Sequence, residues 1–168
     1  MSEKLKGFRM PAEWETQKSV WIAWPYNKKD WPGLYQFIPK VILEIISKIS
    51  KQQRVNLILN KDAKNIKKLI KSKKIKNINF HKIKTDRIWL RDSGPIFLTN
   101  KKNKKKILLN FMFNGWSKYK NFKNDNKITD YISKFTNLEK ISPILKKNRI
   151  KKKIVMEGGA FDVNGSGS

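Results

Sequence analysis

The chain has 168 residues, a hydrophobic fraction of 39% and a formal net charge of +26. This length and apolar content are sufficient for one globular domain with a core, and they exclude a disordered chain. No apolar run reaches the ~18 residues needed to span a bilayer, and segment 1–15 carries acids without the apolar region of a signal peptide. We therefore expect a cytoplasmic protein that does not enter a membrane.

The positive charge comes mainly from lysine. Of the 39 basic residues, five are arginine, which leaves 34 lysines. Proteins that read bases or grip phosphates favour arginine, because its planar fork makes two parallel hydrogen bonds. Here lysine is spread over every predicted element, and its densest runs, at 71–76, 101–106 and 146–153, are predicted to lie in loops or at element edges. This favours a solvated lysine surface and not a nucleic-acid partner, although charge-driven nucleic-acid binding stays open and would weaken steeply with salt.

The first half of the chain predicts alternating strands and helices. The apolar, aromatic run Ser19–Pro25 is typical of a buried strand. Apolar residues recur every three or four positions from Val41 to Ile49, which predicts an amphipathic helix that begins near Pro39. Further elements follow: a strand at Arg54–Asn60, a lysine-rich helix at Asp62–Ser72 with a cap near Asn60 to Asp62, and a strand at Lys76–Ile83.

The second half predicts more strands and one short helix. Segments Gly94–Asn100 and Lys105–Asn114 bracket the lysine turn at 101–106, which indicates a hairpin. A helix at Asp125–Phe135 and a strand at Lys152–Glu157 follow. The order predicts an α/β fold in which helices interrupt small mixed sheets. No glycine-rich phosphate loop is present, because the glycines after Glu157 match neither the P-loop nor the dinucleotide-binding pattern.

The end of the chain predicts an unfinished hairpin. Ala160–Val163 alternates in polarity like a short strand, and Asn164-Gly165 is the strongest two-residue hairpin signal. The sequence stops at Ser168 without a returning strand, so we expect residues 1–168 to be one partial domain, truncated at its C-terminus. The alternative is that the last residues fray or that GSGS is an added tail.

Cysteine and histidine limit the chemistry of the chain. There is no cysteine, which excludes disulfides, cysteine metal sites and a thiol nucleophile within these residues. The single histidine, His81, cannot form a histidine-rich metal site, and we interpret it as an ordinary strand residue. We expect no metal and no cofactor.

The segment TDRIWLRDSGP, from Thr85 to Pro95, concentrates acids and arginines beside a tryptophan. Asp92 follows Trp89 by three residues, and the Ser-Gly-Pro turn after it can place a carboxylate at the rim of a sheet. A guanidinium could stack on the indole for ~0.5–2 kcal/mol. It could also pair with the carboxylate for ~1.5–3 kcal/mol, and Arg91 could hold a neighbouring acid. The structural alternative is an Arg91–Asp92 turn with Trp89 in the core.

Two more segments are candidates. Glu157 ends an apolar strand and precedes Gly158 and Gly159, which allow close approach of a backbone or ligand; the alternative is a surface acid before a loop. In NFMFNGW, aromatic residues alternate and a turn then delivers Trp116. Core packing is the default interpretation of that segment.

These segments, taken in order, resemble the agmatine deiminase family, which also includes the bacterial peptidylarginine deiminases. The resemblance is carried by four motifs that span nearly the whole chain: GFRMPAEWETQKSVWIAWP, DRIWLRDSGPIF, NFMFNGW and MEGGAFDVNGSG. It implies the pentein fold, a five-bladed α/β propeller of ββαβ units around a central polar site. These residues would form about the first two blades.

The resemblance also implies a reaction and residue roles. A cysteine thiolate attacks the guanidinium carbon, ammonia leaves, and water releases a ureido product while a histidine shuttles protons. Asp92 would bind the guanidinium, Trp89 would line its pocket, and Glu157 would be the acid near the catalytic histidine and substrate. The loops would be shaped by five further residues, Arg91, Gly94, Pro95, Gly158 and Gly159. The catalytic cysteine and histidine have no counterpart here.

The resemblance implies hydrolysis of agmatine to N-carbamoylputrescine and ammonia, in putrescine biosynthesis, with a small guanidino cation as the partner of the site. The chain alone is expected to be inactive, and the full-length form could be a homo-oligomer. Two alternatives remain: a protein-arginine deiminase, or a non-catalytic truncated paralogue that acts as a cation-binding or interaction module.

Overall fold

The computed structural model describes residues 5–60, 62–147 and 150–166. They form two compact units: Thr16–Leu90, which we call the parallel-sheet unit, and Met1–Glu15 with Arg91–Ser168, which we call the mixed-sheet unit. None of the helices in the described ranges is long and apolar enough to cross a bilayer. The predicted α/β class is confirmed.

The parallel-sheet unit has three strands, β1 (Ser19–Ala23), β2 (Arg54–Leu59) and β3 (Ile78–Lys82), all parallel and in that order. Helices α1 (Ile38–Ile49) and α2 (Ala63–Ser72) connect them. One core is formed by their inner faces, by alternate residues of β2 and by the residue that follows β1; its members are Trp24, Ile46, Val55, Leu57, Leu59, Ile66 and Ile70. All five predicted elements are confirmed, with Pro39 in the first turn of α1.

Two details of this unit refine the predictions. Asp62 occupies the N-cap position of α2, but it has a left-handed φ of 52° and its side chain makes no capping hydrogen bond. The Lys61 part of the predicted cap lies outside the described residues. His81 lies in β3 as predicted and is 3% exposed.

The short helix α3 (Leu90–Ser93) lies where the chain enters the mixed-sheet unit, to which all its residues but Leu90 belong. In this unit, strands β4 (Ile96–Thr99) and β5 (Lys106–Leu109) are antiparallel, which confirms the predicted hairpin, and β6 (Glu139–Ile141) pairs in parallel with β5. Helix α4 (Ile128–Thr136) precedes β6, so the order is ββαβ. Ile128, Thr129 and Ile132 are buried on one side of this helix. A left-handed Asn137 ends it, and its N–H bonds to the carbonyl of Ser133.

Two short pairings bring distant segments to this sheet. Arg9 pairs with Thr99 through two backbone hydrogen bonds of 2.9 Å, so the N-terminal segment runs beside β4. Met112 pairs with Val155 in parallel. The second pairing places the segment that leads into Glu157 next to the segment that leads into Trp116.

The prediction for the last forty residues was partly wrong. Strand β6 was missed, and β7 (Ile144–Lys147) and β8 (Ile150–Lys153) form an antiparallel hairpin where the lysine run 146–153 suggested loop or edge. In the two strands, cross-strand pairing satisfies backbone hydrogen bonds despite the charge of the lysines. The predicted strand at Lys152–Glu157 keeps pairing only at its start and at Val155.

The predicted terminal strand at Ala160–Val163 is also wrong. Gly158–Ala160 is a 3-10 turn, Phe161 is extended, and residues 161–164 belong to no strand. Among the described residues Asn164 is not in a left-handed conformation, whereas Gly165 is, at φ 79°. Asn164 instead accepts a bond from the Ser166 N–H at 2.8 Å. Gly167 and Ser168 of the proposed hairpin or tail lie outside the described residues.

Candidate functional site

The carboxylate of Asp92 is held at both oxygens. Its Oδ2 accepts a hydrogen bond from the indole Nε1–H of Trp116 at 3.1 Å, and its Oδ1 accepts one from the backbone N–H of Gly159 at 3.2 Å. All three residues belong to the mixed-sheet unit. A carboxylate oxygen can accept more than one hydrogen bond, so both oxygens retain capacity for a further donor. The result is a fixed, half-buried acid in a chain that has only 13 acids.

Gly158 and Gly159 are required by close packing. A Cβ on Gly158 would lie 2.3 Å from the carbonyl oxygen of Arg91, and a Cβ on Gly159 would lie 2.6 Å from Oδ1 of Asp92. Neither glycine has a positive φ, so space and not backbone freedom explains them. The sequence prediction that these glycines allow close approach of another backbone is consistent with this packing.

Trp116 reaches Asp92 from a strained turn. Gly115, Trp116 and Ser117 all have positive φ, at 67°, 57° and 56°. Asn114 stabilises the turn, because its Oδ1 accepts from the Ser117 N–H at 3.1 Å and its Nδ2 donates to Ser117 Oγ at 2.9 Å. Non-glycine residues adopt this conformation at a cost of order 1–3 kcal/mol. Such strain is typical of positions where a side chain must be aimed.

The aromatic core behind this turn is also fixed. Phe113 is 1% exposed and meets the Trp116 ring edge to face at 4.8 Å between centroids. Asn126 bonds to both backbone groups of Phe113, accepting at 2.9 Å and donating at 2.7 Å. Core packing of NFMFNGW is therefore correct for Phe113. For Trp116 the same interpretation missed the polar contact of the indole. The Asn-Gly pair just before Trp116 signals a turn, and a turn ends the alternating pattern of a strand.

Arg91 points to a different set of partners from Asp92. Its Nε donates to the carbonyl of Gly158 at 3.0 Å, and its guanidinium forms an ion pair with Glu13. Both side chains are about half exposed, at 48% and 54%, so this pair contributes at most ~1 kcal/mol. The acid that Arg91 holds is thus Glu13.

An open depression of about 350 Å³ lies beside this pair. It is lined by Glu13, Arg91, Gly159, Ala160, Phe161 and Asp162. Neither Asp92 nor Glu157 lines it, so the depression and the fixed carboxylate are separate features that share Gly159.

Glu157 immediately precedes the glycine turn. Its carbonyl accepts the Ala160 N–H at 3.0 Å, and it is half-buried. Among the described residues its carboxylate has no hydrogen-bond or ion-pair partner. Because Gly159, two residues later, bonds to Asp92, the same turn carries Glu157 and anchors Asp92. Gly94 and Pro95 link α3 to the start of β4, as the predicted turn before a strand requires.

Trp89 belongs to the parallel-sheet unit and is not a core residue. It is 45% exposed, and its ring centroid lies 6.1 Å from that of Trp31. A buried ion pair in the same unit joins Arg87 to Asp30. Arg87 is two residues before Trp89, and Asp30 directly precedes Trp31. The structural alternative of a buried Trp89 is therefore wrong.

The described residues contain no group of three or more His, Asp or Glu side chains arranged to hold a metal ion. What the mixed-sheet unit offers is an acid whose position is set by two N–H donors from distant parts of the chain. Such an acid can receive a cation with directional N–H groups. With no thiol in the sequence, covalent attack cannot come from a cysteine of these residues.

The site is thus of one class: an acid that a tryptophan and a Glu-Gly-Gly turn hold on an α/β scaffold. Comparison with known proteins identifies the family of the chain. The model of the Porphyromonas-type peptidyl-arginine deiminases matches residues 9–168. The chain belongs to this family.

Relatives of known sequence are about twice as long. A protein of Legionella pneumophila assigned as an agmatine deiminase is 30% identical over 98% of this chain and 44% of its own length. One from Streptococcus mutans with the same assignment is 28% identical over 98% of this chain and 44% of its own length. The chain thus spans less than half the length of the relatives it matches.

Solved structures are also similar to this chain in their fold. An X-ray structure assigned as an agmatine deiminase superimposes with a TM-score of 0.80 at 28% identity, over 96% of this chain and 43% of that one. Agmatine deiminase of C. jejuni, solved as a cysteine-to-serine variant with substrate bound, gives a TM-score of 0.73 at 27% identity, over 95% and 44%. These neighbours are consistent with the pentein fold that the motifs imply.

Proposed function

We propose that this chain provides the guanidinium-binding part of an agmatine deiminase-type site, as one partial domain that forms about two blades of a five-bladed propeller. Asp92 receives the guanidinium, and Glu157 supplies a second acid. The observation that supports this most is the double anchoring of Asp92 by Trp116 and Gly159.

The chemistry of that anchor suits a guanidinium. A planar cation with N–H groups in a fork can give two parallel, charge-assisted bonds to one carboxylate. Such bonds are directional, so a carboxylate that is already oriented loses little freedom on binding. The two N–H donors on Asp92 leave lone pairs on both oxygens for this purpose.

The reaction proposed for the complete site is hydrolysis of agmatine to N-carbamoylputrescine and ammonia, a step toward putrescine in the cytoplasm. A cysteine thiolate attacks the guanidinium carbon, ammonia leaves with a proton from a histidine, and water releases the product. No cysteine is present in these 168 residues. We therefore expect the purified chain to bind agmatine and to release no ammonia from it.

Calorimetric titration of the 168-residue chain tests the binding step. Agmatine should bind more tightly than putrescine, which has a second amine in place of the guanidinium. Asp92→Asn should weaken agmatine binding at least about tenfold, or ~1.4 kcal/mol. Asp162→Asn, which changes an exposed acid three residues after Gly159, should leave the binding unchanged. Equal binding of agmatine and putrescine, or an unaffected Asp92→Asn variant, would refute the role of Asp92.

Two other functions are tested by the same titration and by a complementation assay. A protein-arginine deiminase is supported by the description of the family model, and it requires an arginine-containing peptide to bind at least as well as agmatine. A non-catalytic cation-binding module predicts agmatine binding with no gain of activity when the C-terminal half of a relative is added. Ammonia release after such complementation supports the deiminase.

A further inference from the structure

Three segments meet at the end of the parallel-sheet unit where β1, β2 and β3 all begin. Because the strands are parallel, the residues that precede them lie at one edge of the sheet. Helices α1 and α2 end at this edge too, since each runs from the end of one strand to the start of the next. A hydrogen bond of 3.3 Å from Asn77 Nδ2 to the Ser50 carbonyl joins two of the segments. We call this surface, formed by residues 16–19, 48–54 and 71–78, the amino edge.

The amino edge is basic and contains no acid. Its eight basic side chains are all exposed: Lys18, Lys48, Lys51, Arg54, Lys71, Lys73, Lys74 and Lys76. None of them forms an ion pair with the part of the chain that the structure describes. The segments that follow the three strands carry acids as well, at Asp30, Asp62 and Asp86. The sequence alone favours a solvated lysine surface, but the fold gathers lysines from three segments at one edge.

The helix ends explain a small part of this charge. A helix carries about half a negative charge at its C-terminus, and cations in the last turn stabilise it. Lys48 and Lys71 lie in the last turns of α1 and α2. Two half charges offset about one of the eight cations, so the amino edge keeps a large positive excess. Like charges held together repel each other, and a multivalent anion would remove that repulsion.

We propose that the amino edge binds the phosphate backbone of double-stranded DNA without reading its sequence. Three strands ~4.8 Å apart span about 10 Å, and a helix layer ~10–12 Å thick doubles this width. A duplex carries one charge per ~1.7 Å of its axis, so about 20 Å of surface faces on the order of 12 phosphate charges. All but one of the basic residues are lysines. Lysine acts as a point charge on phosphates, whereas base readout favours the arginine fork.

The composition of the amino edge disfavours other polyanions. Its three segments contain no aromatic residue, whereas proteins that bind single strands stack the bases on aromatic side chains. The exposed large apolar side chains of the described residues all lie outside these segments, so the edge has no group that would insert into a bilayer. The apolar residues of the edge, Ile49, Ile75 and Ile78, pack against the core of the unit. A duplex, which offers charge on its outside, matches this surface best.

Fluorescence anisotropy with a labelled DNA duplex of mixed sequence tests the proposal. The wild-type chain should bind the duplex, and its affinity should fall steeply between about 50 and 200 mM salt. A triple variant, Lys73→Gln with Lys74→Gln and Lys76→Gln, should bind at least about tenfold more weakly at the low-salt end of this range. It should also reduce the slope of log affinity against log salt by about 3, because each phosphate contact contributes ~0.9.

A second triple variant separates the amino edge from the total charge. Lys102→Gln, Lys104→Gln and Lys105→Gln remove the same charge from the exposed turn between β4 and β5. The match extends to the backbone, since Lys104 and Lys74 are both left-handed, at φ 55° and 54°. This control should keep the affinity and the salt slope of the wild type. Circular dichroism shows that both triple variants are folded.

Three results would overturn the proposal. The first is a wild-type chain that leaves the duplex unbound at about 50 mM salt. The second is equal weakening in the two triple variants, which would show that binding follows total charge. The third is tighter binding of a single strand of the same length, or of phosphatidylserine vesicles, than of the duplex. Agmatine binding is a separate measurement on residues of the mixed-sheet unit, so failure here leaves the proposed function unaffected.

Discussion

The indole N–H of Trp116 donates to Asp92 Oδ2 across 24 residues of sequence, and the turn that presents it has three consecutive positive φ angles. The Gly159 N–H reaches the other oxygen from 67 residues away. Three distant segments therefore converge on one carboxylate. The unfavourable backbone of residues 115–117 is stabilised by Asn114 and by the packing of Phe113, so the geometry of Asp92 is built into the fold.

Trp116→Phe should lower agmatine affinity about fivefold, or ~1 kcal/mol, because it removes a hydrogen bond to a charged acceptor and keeps most of the ring. Urea unfolding should show a similar loss of stability. Trp14→Phe is the matched control, since Trp14 is 78% exposed. Unchanged affinity and stability in Trp116→Phe would mean that Asp92 is held without the indole.

Gly159→Ala should destabilise the chain by ~1–3 kcal/mol, because the new methyl group would lie 2.6 Å from Asp92 Oδ1. The clash is specific, so the effect should shrink when Asp92 is already alanine. A double-mutant cycle measured by urea denaturation gives this coupling directly. Additive effects of the two substitutions would show that the cost arises elsewhere.

The sequence predicted the parallel-sheet unit almost completely, because its strands and helices are long enough to show clear periodicity. It failed between Glu139 and Val163. A lysine-rich segment there forms a hairpin that was not predicted, and the strand predicted at Ala160–Val163 does not form. Backbone pairing of Lys146 with Lys151 opposes like charges, which no pattern of alternating polarity would suggest.

The candidate site was predicted in part. Asp92, Glu157 and the glycines were named from their local chemistry and from the family motifs. The role of Trp116 was missed, because a hydrogen bond over 24 residues depends on tertiary packing. The partner of Arg91 was open for the same reason, since Glu13 lies 78 residues earlier in the chain.

His81 should titrate below 6.5, the ordinary pKa of a histidine side chain, because burial disfavours the imidazolium and lowers the pKa of the ring. Its Nε2 lies 3.1 Å from Asn56 Oδ1, and its ring lies 4.6 Å from that of Trp21. It is the single histidine, so its imidazole proton signals can be followed by NMR without assignment. A midpoint at or above 6.5 would contradict a buried neutral ring.

The lowered pKa of His81 also makes the stability of the folded chain depend on pH. The unfolded chain takes up a proton at His81 more readily than the folded one. The contribution of His81 is therefore fully present above pH 6.5 and is lost as pH falls toward the lowered folded pKa. His81→Asn should remove this part of the acid dependence, which urea unfolding at a series of pH values can measure.

The N-terminal segment is joined to residue 165 by a clamp that should be sensitive to acid. Arg9 donates to both carboxylate oxygens of Glu15, with Nη2 to Oε2 at 2.6 Å, and to the carbonyl of Gly165 at 2.6 Å. The Ala12 N–H adds a bond to Oε1 at 2.9 Å. The hydrogen bond from Arg9, followed by that from Ala12, lowers the pKa of Glu15 from 4.5 to about 2. A carboxyl with a depressed folded pKa adds stability above its unfolded pKa and loses it as pH falls through the folded value.

Glu15→Gln should therefore flatten the fall in stability between pH 4.5 and about 2 relative to the wild type. Arg9→Gln should flatten it less, because it removes the donor with the largest effect but leaves the Ala12 N–H bonded to Glu15. The double variant should be no flatter than Glu15→Gln alone, since without the Glu15 carboxyl the loss of Arg9 has no further effect on this titration. Urea unfolding midpoints across this range measure the effect, and wild-type and Glu15→Gln curves that stay parallel would show that the clamp does not form in solution.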